Sequence, residues 1–204
     1  VGAGDGTLAH SVARVRAARE GLADDIEIMC DAHGTFSVAE AKRFCREVAE
    51  CNIGWLEEPV VADDKRGMAE VRASTDIPIS TGESEFTRFA FRDLAELRAC
   101  DIFQPDLSIC GGISEAMRIE AIASAYQLRY APHLWGGALT FSAGLHTMVV
   151  ASTGFIVEYS LGANPMLHEL AVEDFTIVDG HLEIPDRPGL GVTVDEEFVE
   201  KYRI

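Results

Sequence analysis

Six titratable residues recur along this chain at almost one interval, and that recurrence limits the fold more than any other feature. Asp31, Glu57, Glu83, Asp106, His133 and Glu158 are separated by 26, 26, 23, 27 and 25 residues. Each closes a short apolar run: residues 26–30 before Asp31, 53–56 before Glu57, 77–82 before Glu83 and 155–157 before Glu158. Gln104-Pro105-Asp106 and Ala131-Pro132-His133 end the other two. Between the runs, apolar residues recur at helical spacing, as in Leu8, Val12, Val15, Ala18 and Leu22. Strands alternating with helices make βαβ units and a parallel sheet. An open doubly wound sheet gathers its site at one switch point between strands. A barrel instead presents polar groups at the C-terminal ends of many successive strands. Six polar strand ends in phase favour the barrel.

Taken in order, the pattern predicts strands over 26–32, 53–59, 77–83, 101–108, 129–135 and 155–160. Helices are expected over 8–22, from Ser37 to about Cys51, and over 63–74, 86–98, 113–128 and 138–152. Ser37 and Glu40 form a capping-box pattern at the start of the second helix. A complete eight-fold barrel takes ~250 residues, so six periods ending near residue 160 describe an α/β chain holding the C-terminal part of a barrel. The pattern then changes. Residues 175–185 read as a hairpin with an Asp179-Gly180 turn, 188–192 as a tight loop and 195–202 as a short helix. The expected division is a partial (β/α) barrel over 1–160 and a tail over 161–204 that packs outside it.

Charge narrows the function. The 34 acidic and 17 basic residues give a net charge of −17, which argues against nucleic acid or an anionic membrane as a partner. No apolar stretch reaches the ~20 residues that span a bilayer. The five cysteines are odd in number and lack Cys-x-x-Cys spacing, so free thiols in a reducing cytoplasm are expected.

Asp31, Glu57 and Glu83 end three consecutive strands, which brings three carboxylates to one side of the barrel mouth. A hard-oxygen set without thiolate suits Mg²⁺, with Mn²⁺ as the alternative. The competing reading of any one of them is a solvated strand cap, and their common phase is what favours the metal. Glu58 points to the other side of its strand and is read as structural. His133 and Asp106 lie on neighbouring strand ends, where a carboxylate can fix the tautomer of an imidazole and raise its pKa. The competing reading is a hydrogen-bonded structural histidine. His33 follows Asp31 by two residues and faces the same way on an extended strand, either as an acid beside the metal or as a support for it. Glu158 is a candidate to hydrogen-bond a substrate oxygen.

Together these residues resemble the enolase superfamily, in its mandelate racemase-like branch. The matching motifs are Asp31-Ala32-His33-Gly34, Trp55-Leu56-Glu57-Glu58-Pro59, Gly82-Glu83, Gln104-Pro105-Asp106 with Gly111-Gly112-Ile113, Pro132-His133, Glu158 and Pro188-Gly189-Leu190-Gly191-Val192. The resemblance implies a modified (β/α)₇β TIM-type barrel with a capping domain to which the C-terminal hairpin tail belongs. It implies Mg²⁺ on Asp31, Glu57 and Glu83, a carboxylate substrate, and removal of the proton alpha to that carboxylate. His133, oriented by Asp106, would be an acid or base, and Glu158 would share a proton with the substrate. Asp-x-His-Gly is similar to the motif of galactonate-type sugar-acid dehydratases, where a histidine in the place of His33 helps the beta-hydroxyl leave. An aldonic or aldaric acid is the implied substrate, and a homo-oligomer the implied assembly. A racemase, epimerase or cycloisomerase of the same superfamily is the alternative, and a non-catalytic binding module a more distant one. One departure stands out. The second-strand Lys-x-Lys of the family has no counterpart, the lysines here being Lys42, Lys65 and Lys201. The expectation is that the chain is part of a longer protein.

Overall fold

The structure is a computed structural model that describes residues 1–203. Five parallel strands stand in sequence order: β1 (Ile28–Asp31), β2 (Ile53–Glu57), β3 (Ile79–Thr81), β4 (Ile102–Phe103) and β5 (Arg129–Tyr130). The row is extended on both sides by single parallel bridges, Gly2 to Asp31 and Gly154 to Tyr130. Helices α1 (Leu8–Gly21), α2 (Val38–Glu47), α3 (Lys65–Arg72), α4 (Thr87–Glu96), α5 (Ile113–Ala125) and α6 (Ala138–Val150) separate the strands. The alternation read from the sequence is therefore the architecture found.

The ladders are shorter than the apolar runs, and proline is one reason. Pro59, Pro105 and Pro132 each follow the last paired residue of a strand by two residues, and a residue without an N–H cannot continue a ladder. The expected strands over 101–108 and 129–135 are thus two residues each. The expected strand over 155–160 is corrected more fully: among the described residues it makes no ladder, and the strand pairing beside it is the single Gly154 bridge, with Tyr130 N–H donating to Thr153 O at 3.0 Å. That segment has a strand partner on one side alone. The first helix also stops at Gly21, which leaves Leu22 exposed rather than in the core.

Local chemistry sets the helix starts. Ser37 Oγ accepts from Glu40 N–H while Glu40 accepts from Ser37 N–H, so the capping box forms at α2. Asp64 caps α3 through Gly67 N–H. One core lies between the strands and helices, with Cys30, Leu56, Ile79 and Phe103 of the strands against Phe44, Met68, Phe91 and Ile119 of the helices. All five cysteines are free and buried.

Gly82 shapes the end of β3. Its φ is +136°, and a Cβ there would stand 2.6 Å from Phe91 Cε1. The chain passes close over the Phe91 ring before presenting Glu83.

Residues beyond 160 pack on α6. Phe141 stacks with Tyr159 and Phe175 at 5.2 and 4.7 Å between ring centroids. Ser142 Oγ donates to Leu190 O at 2.5 Å, which fixes the Pro188–Val192 loop. The hairpin β6 (Ile177–Val178) and β7 (His181–Leu182) turns at Asp179-Gly180, both at positive φ, as its two-residue turn requires. A short helix α7 (Pro165–His168), not anticipated from the sequence, and the terminal helix α8 (Glu196–Lys201) complete the tail.

Candidate active site

The carboxyl ends of β1, β2 and β3 deliver Asp31, Glu57 and Glu83 into one cavity of about 830 Å³, which His33, His133 and Glu158 also line. Asp106 lies just behind its wall, 4% exposed. All seven residues singled out in the sequence thus converge on one end of the strand row.

His133 is held from both ring nitrogens. Nδ1 is 2.8 Å from Asp106 Oδ2, and Nε2 is 3.4 Å from Glu83 Oε2. Asp106 is fixed in turn by Ser108, whose N–H and Oγ donate to Oδ1 at 2.7 and 2.5 Å. Burial raises the Asp106 pKa, but the His133 hydrogen bond and the two from Ser108 outweigh it, and the carboxyl ends below its ordinary value. For His133 burial disfavours the cation. The hydrogen bond to Asp106 and the negative charges of Glu158 and Glu83 outweigh that, and its pKa rises to about 9.

The carboxylates are short of positive charge. Burial pushes Glu57 up to about 7; hydrogen bonds from Gln104 and Trp55 pull it down, and the neighbouring Asp31 and Glu158 push it further up. Glu83 is also raised, first by burial, with His133 opposing and Asp31 reinforcing. Among the described residues, no lysine or arginine lines this cavity.

Among the described residues, no group of three or more His, Cys, Asp or Glu side chains stands as a ready-made metal cage. The side-chain contacts show what occupies these carboxylates. Asp31 is taken by His33, whose N–H donates to Oδ1 at 2.9 Å and whose Nδ1 is 2.7 Å from Oδ2. Glu57 Oε2 accepts from Trp55 Nε1 at 3.1 Å, and Glu158 Oε2 from Leu134 N–H at 2.7 Å. The chemistry of the donor set still fits a hard divalent cation: three carboxylates line one partly buried cavity, two of them, Glu57 and Glu83, raised in pKa by burial, with no sulfur among the three.

His33 differs from its expected setting. It does not continue β1 but sits in a left-handed turn at φ +47°, followed by Gly34 at +67°, and its ring folds back onto Asp31. Glu58 is buried as expected of a structural residue and accepts from Thr81 Oγ1 at 3.0 Å.

Two residues of the site were quoted in motifs but given no role. Trp55 precedes Glu57 by two positions on β2 and so shares its face, and Gln104 precedes Asp106 by two just beyond the end of β4. Both line the cavity. The Gln104 side chain is buried, and its Oε1 has no hydrogen-bond partner. The period of two was the signal that could have found them.

Against known proteins, the family model described as Enolase C-terminal domain-like matches residues 1–198. The chain is 34% identical over 197 residues to a D-galactonate dehydratase of Xanthomonas euvesicatoria pv. vesicatoria, covering 94% of this chain and 52% of that protein. It is 32% identical over 198 residues to a D-galactarolactone cycloisomerase of Agrobacterium fabrum, covering 93% and 52%. The crystal structure of the 3,6-anhydro-D-galactonate cycloisomerase from Zobellia galactanivorans superposes with a TM-score of 0.91 at 33% identity, covering 98% of this chain and 57% of that one. The chain spans about half the length of the curated relatives it matches.

Proposed function

Because the chain belongs to the Enolase C-terminal domain-like family, we propose that it supplies the acid–base and metal-binding half of an Mg²⁺-dependent acid-sugar dehydratase. The reaction removes the proton alpha to the substrate carboxylate and expels the beta-hydroxyl as water, leaving a 2-keto-3-deoxy acid. The observation that carries this reading is the His133–Asp106 pair facing Glu57, Glu83 and Glu158 across one cavity. On the same reading residues 1–160 are the barrel part, and 161–204 contribute to a cap.

Asp31, Glu57 and Glu83 would hold the cation, which supplies electrostatic stabilisation for charge developing on the substrate carboxylate. The chain's own residues do the rest. Asp106 holds Nδ1 of His133, so Nε2 is the atom that faces the cavity and exchanges protons. Two of the charges that keep His133 protonated belong to Glu158 and Glu83. Neutralising that field returns the imidazole toward a base near neutral pH, as proton abstraction needs. Without it the imidazolium is an acid. His33, which lines the same cavity and pairs with Asp31 through Nδ1, would protonate a departing hydroxyl. Glu158 is braced by Leu134 N–H at one oxygen and can share a proton with the substrate through the other.

A second reading keeps the same proton abstraction and ends in cycloisomerisation, which the cycloisomerases among the similar proteins support. Full-length protein with Mg²⁺ and a panel of aldonic and aldaric acids and their lactones in D₂O, followed by proton NMR, separates the two. A new C3 methylene beside a ketone supports dehydration. Ring opening or closure without loss of water supports cycloisomerisation, and no exchange at the alpha carbon with any substrate removes both.

A further inference from the structure

We propose that Trp135 is a specificity-determining residue, its indole a platform on which the C–H face of an acid-sugar carbon chain stacks at the rim of the cavity. The inference rests on the acid-sugar reading above and adds to it the residue that holds the part of the substrate away from its carboxylate. The chain has two tryptophans, and both line this cavity. They are held differently. Trp55 is half-buried, meets Phe155 edge-on with ring centroids 6.2 Å apart, and gives its N–H to Glu57 at 3.1 Å. Trp135 is 63% exposed, unusually open for so large an aromatic residue. Among the described residues its ring has no aromatic or cation–π partner. The Trp55 N–H is the one indole donor bonded within the protein.

What holds Trp135 is its backbone. On one side Leu134 is buried with Phe141 and Leu145 of α6, and its N–H donates to Glu158 Oε2 at 2.7 Å. A Cβ at Gly144 would stand 2.2 Å from Leu134 Cδ2, so α6 comes close against this side chain and fixes it. On the other side Gly136 N–H donates to Leu134 O at 2.8 Å, and Gly136 O accepts from Asn164 Nδ2 at 3.0 Å. The main chain is thus tied on both sides of Trp135, while the largest side chain on it is left without a partner. A rigid ring on a fixed loop binds a ligand at small entropic cost. An indole offers a flat apolar face and one N–H. A hydroxylated carbon chain offers C–H groups to the face and a hydroxyl oxygen to the N–H. On the acid-sugar reading the substrate carboxylate lies by Asp31, Glu57 and Glu83, and the carbons beyond the beta position extend toward the rim where Trp135 stands.

The test follows turnover of the aldonic and aldaric acids by full-length protein with Mg²⁺, using proton NMR, with acrylamide quenching of tryptophan emission in parallel. Trp135→Ala should raise KM about tenfold. Its kcat should stay within about twofold of wild type, because a platform away from the reacting carbons binds ground state and transition state alike. Trp135→Phe keeps a ring and should hold KM within about threefold of wild type. Both substrate-free variants should melt within about a degree or two of wild type, since an exposed ring without partners adds little to stability. The quenchable emission that disappears in Trp135→Phe should be shielded when substrate binds wild type. If wild type turns the acids over and Trp135→Ala does so with unchanged KM, the platform is refuted and the acid-sugar reading stands. A fall in kcat with KM unchanged also refutes it, because it assigns Trp135 to the chemistry. So does an emission already shielded without substrate and unaltered by it, which would show that another segment of the protein covers the ring. If wild type turns over none of the acids, the acid-sugar reading fails and takes the platform with it.

Discussion

Glutamate is used in two opposite ways in this molecule. On the outer wall, Glu115 at the start of α5 is surrounded by donors: Arg88 N–H at 2.9 Å, Arg88 Nη1 at 2.7 Å and Arg118 Nη1 at 2.9 Å. Its pKa is lowered, the Arg88 backbone bond and the Arg118 side-chain bond leading. In the barrel mouth, Glu57 accepts from the neutral Trp55 Nε1, lies near the carboxylates of Asp31 and Glu158, has no salt-bridge partner among the described residues, and is raised to about 7, first by burial. The outer charge is matched and ties α4 to α5. The inner carboxyl has no such match, and its raised pKa means that ionising it works against the fold. A fold keeps such a charge where a ligand completes it.

The largest effect that can break this comparison is on chemistry. His133→Asn removes the proton carrier and should lower the rate of alpha-proton exchange into D₂O by about 10²–10⁴-fold, measured by NMR, whereas Glu115→Gln should leave that rate unchanged. Equal losses in both would mean that the mouth has no special role.

Next in size is an opposition of sign. Glu57→Gln should stabilise the metal-free protein at about pH 8 by on the order of 1–3 kcal/mol, because an uncompensated buried charge is removed. The same substitution should abolish the rise in melting temperature that Mg²⁺ gives wild type. Glu115→Gln should lower the melting temperature and leave the Mg²⁺ shift intact. Destabilisation by Glu57→Gln would show that its charge is already matched.

The pH profile sharpens the comparison further. Glu57 and His133 both have raised folded pKa values, so each binds its proton more tightly when folded. Their contributions to stability are full below the unfolded values of 4.5 and 6.5 and are lost as pH rises through about 7 and about 9. The melting temperature of the metal-free protein should therefore fall from about pH 5 to about pH 9, and saturating Mg²⁺ should flatten the fall. Glu115 has the reverse sign. Its contribution is present above the ordinary carboxylate value and is lost as pH drops through its lowered folded value.

The smallest effect belongs to that outer pair. Arg88→Lys keeps the charge but loses the fork that serves Glu115, and should shift the acid limb of the melting profile slightly toward higher pH without altering Mg²⁺ binding. A change in Mg²⁺ affinity from this position would couple the two regions.

Much of this arrangement is legible in the sequence. The spacing of Asp31, Glu57, Glu83, Asp106, His133 and Glu158 follows from the length of a βα unit, and residues at one phase of a repeating unit come to one end of the strand row. Capping at Ser37 and the Asp179-Gly180 turn were readable because each depends on neighbours within four residues. What was misread depends on partners far away. The run over 155–160 has the composition of a strand, but a ladder needs a neighbour, and sequence pattern does not count neighbours. His33 was placed on an extended strand because alternation is the default after Asp31. In the fold Ala32 N–H donates to Glu57 O and Gly34 N–H to Glu58 O, and the chain between them turns left-handed.

The alternation, the ring of polar groups and the excess of acid over base follow from the amino-acid order alone, because they rest on covalent order and on periodicity. Tertiary structure decided which charges are matched. Arg88 and Arg118 reach Glu115 through the packing of α4 on α5, while among the described residues no lysine or arginine lines the cavity at Glu57. Charge pairing acts over a few ångströms between residues that the chain brings together only on folding, so the same glutamate can brace a wall or wait for a cation.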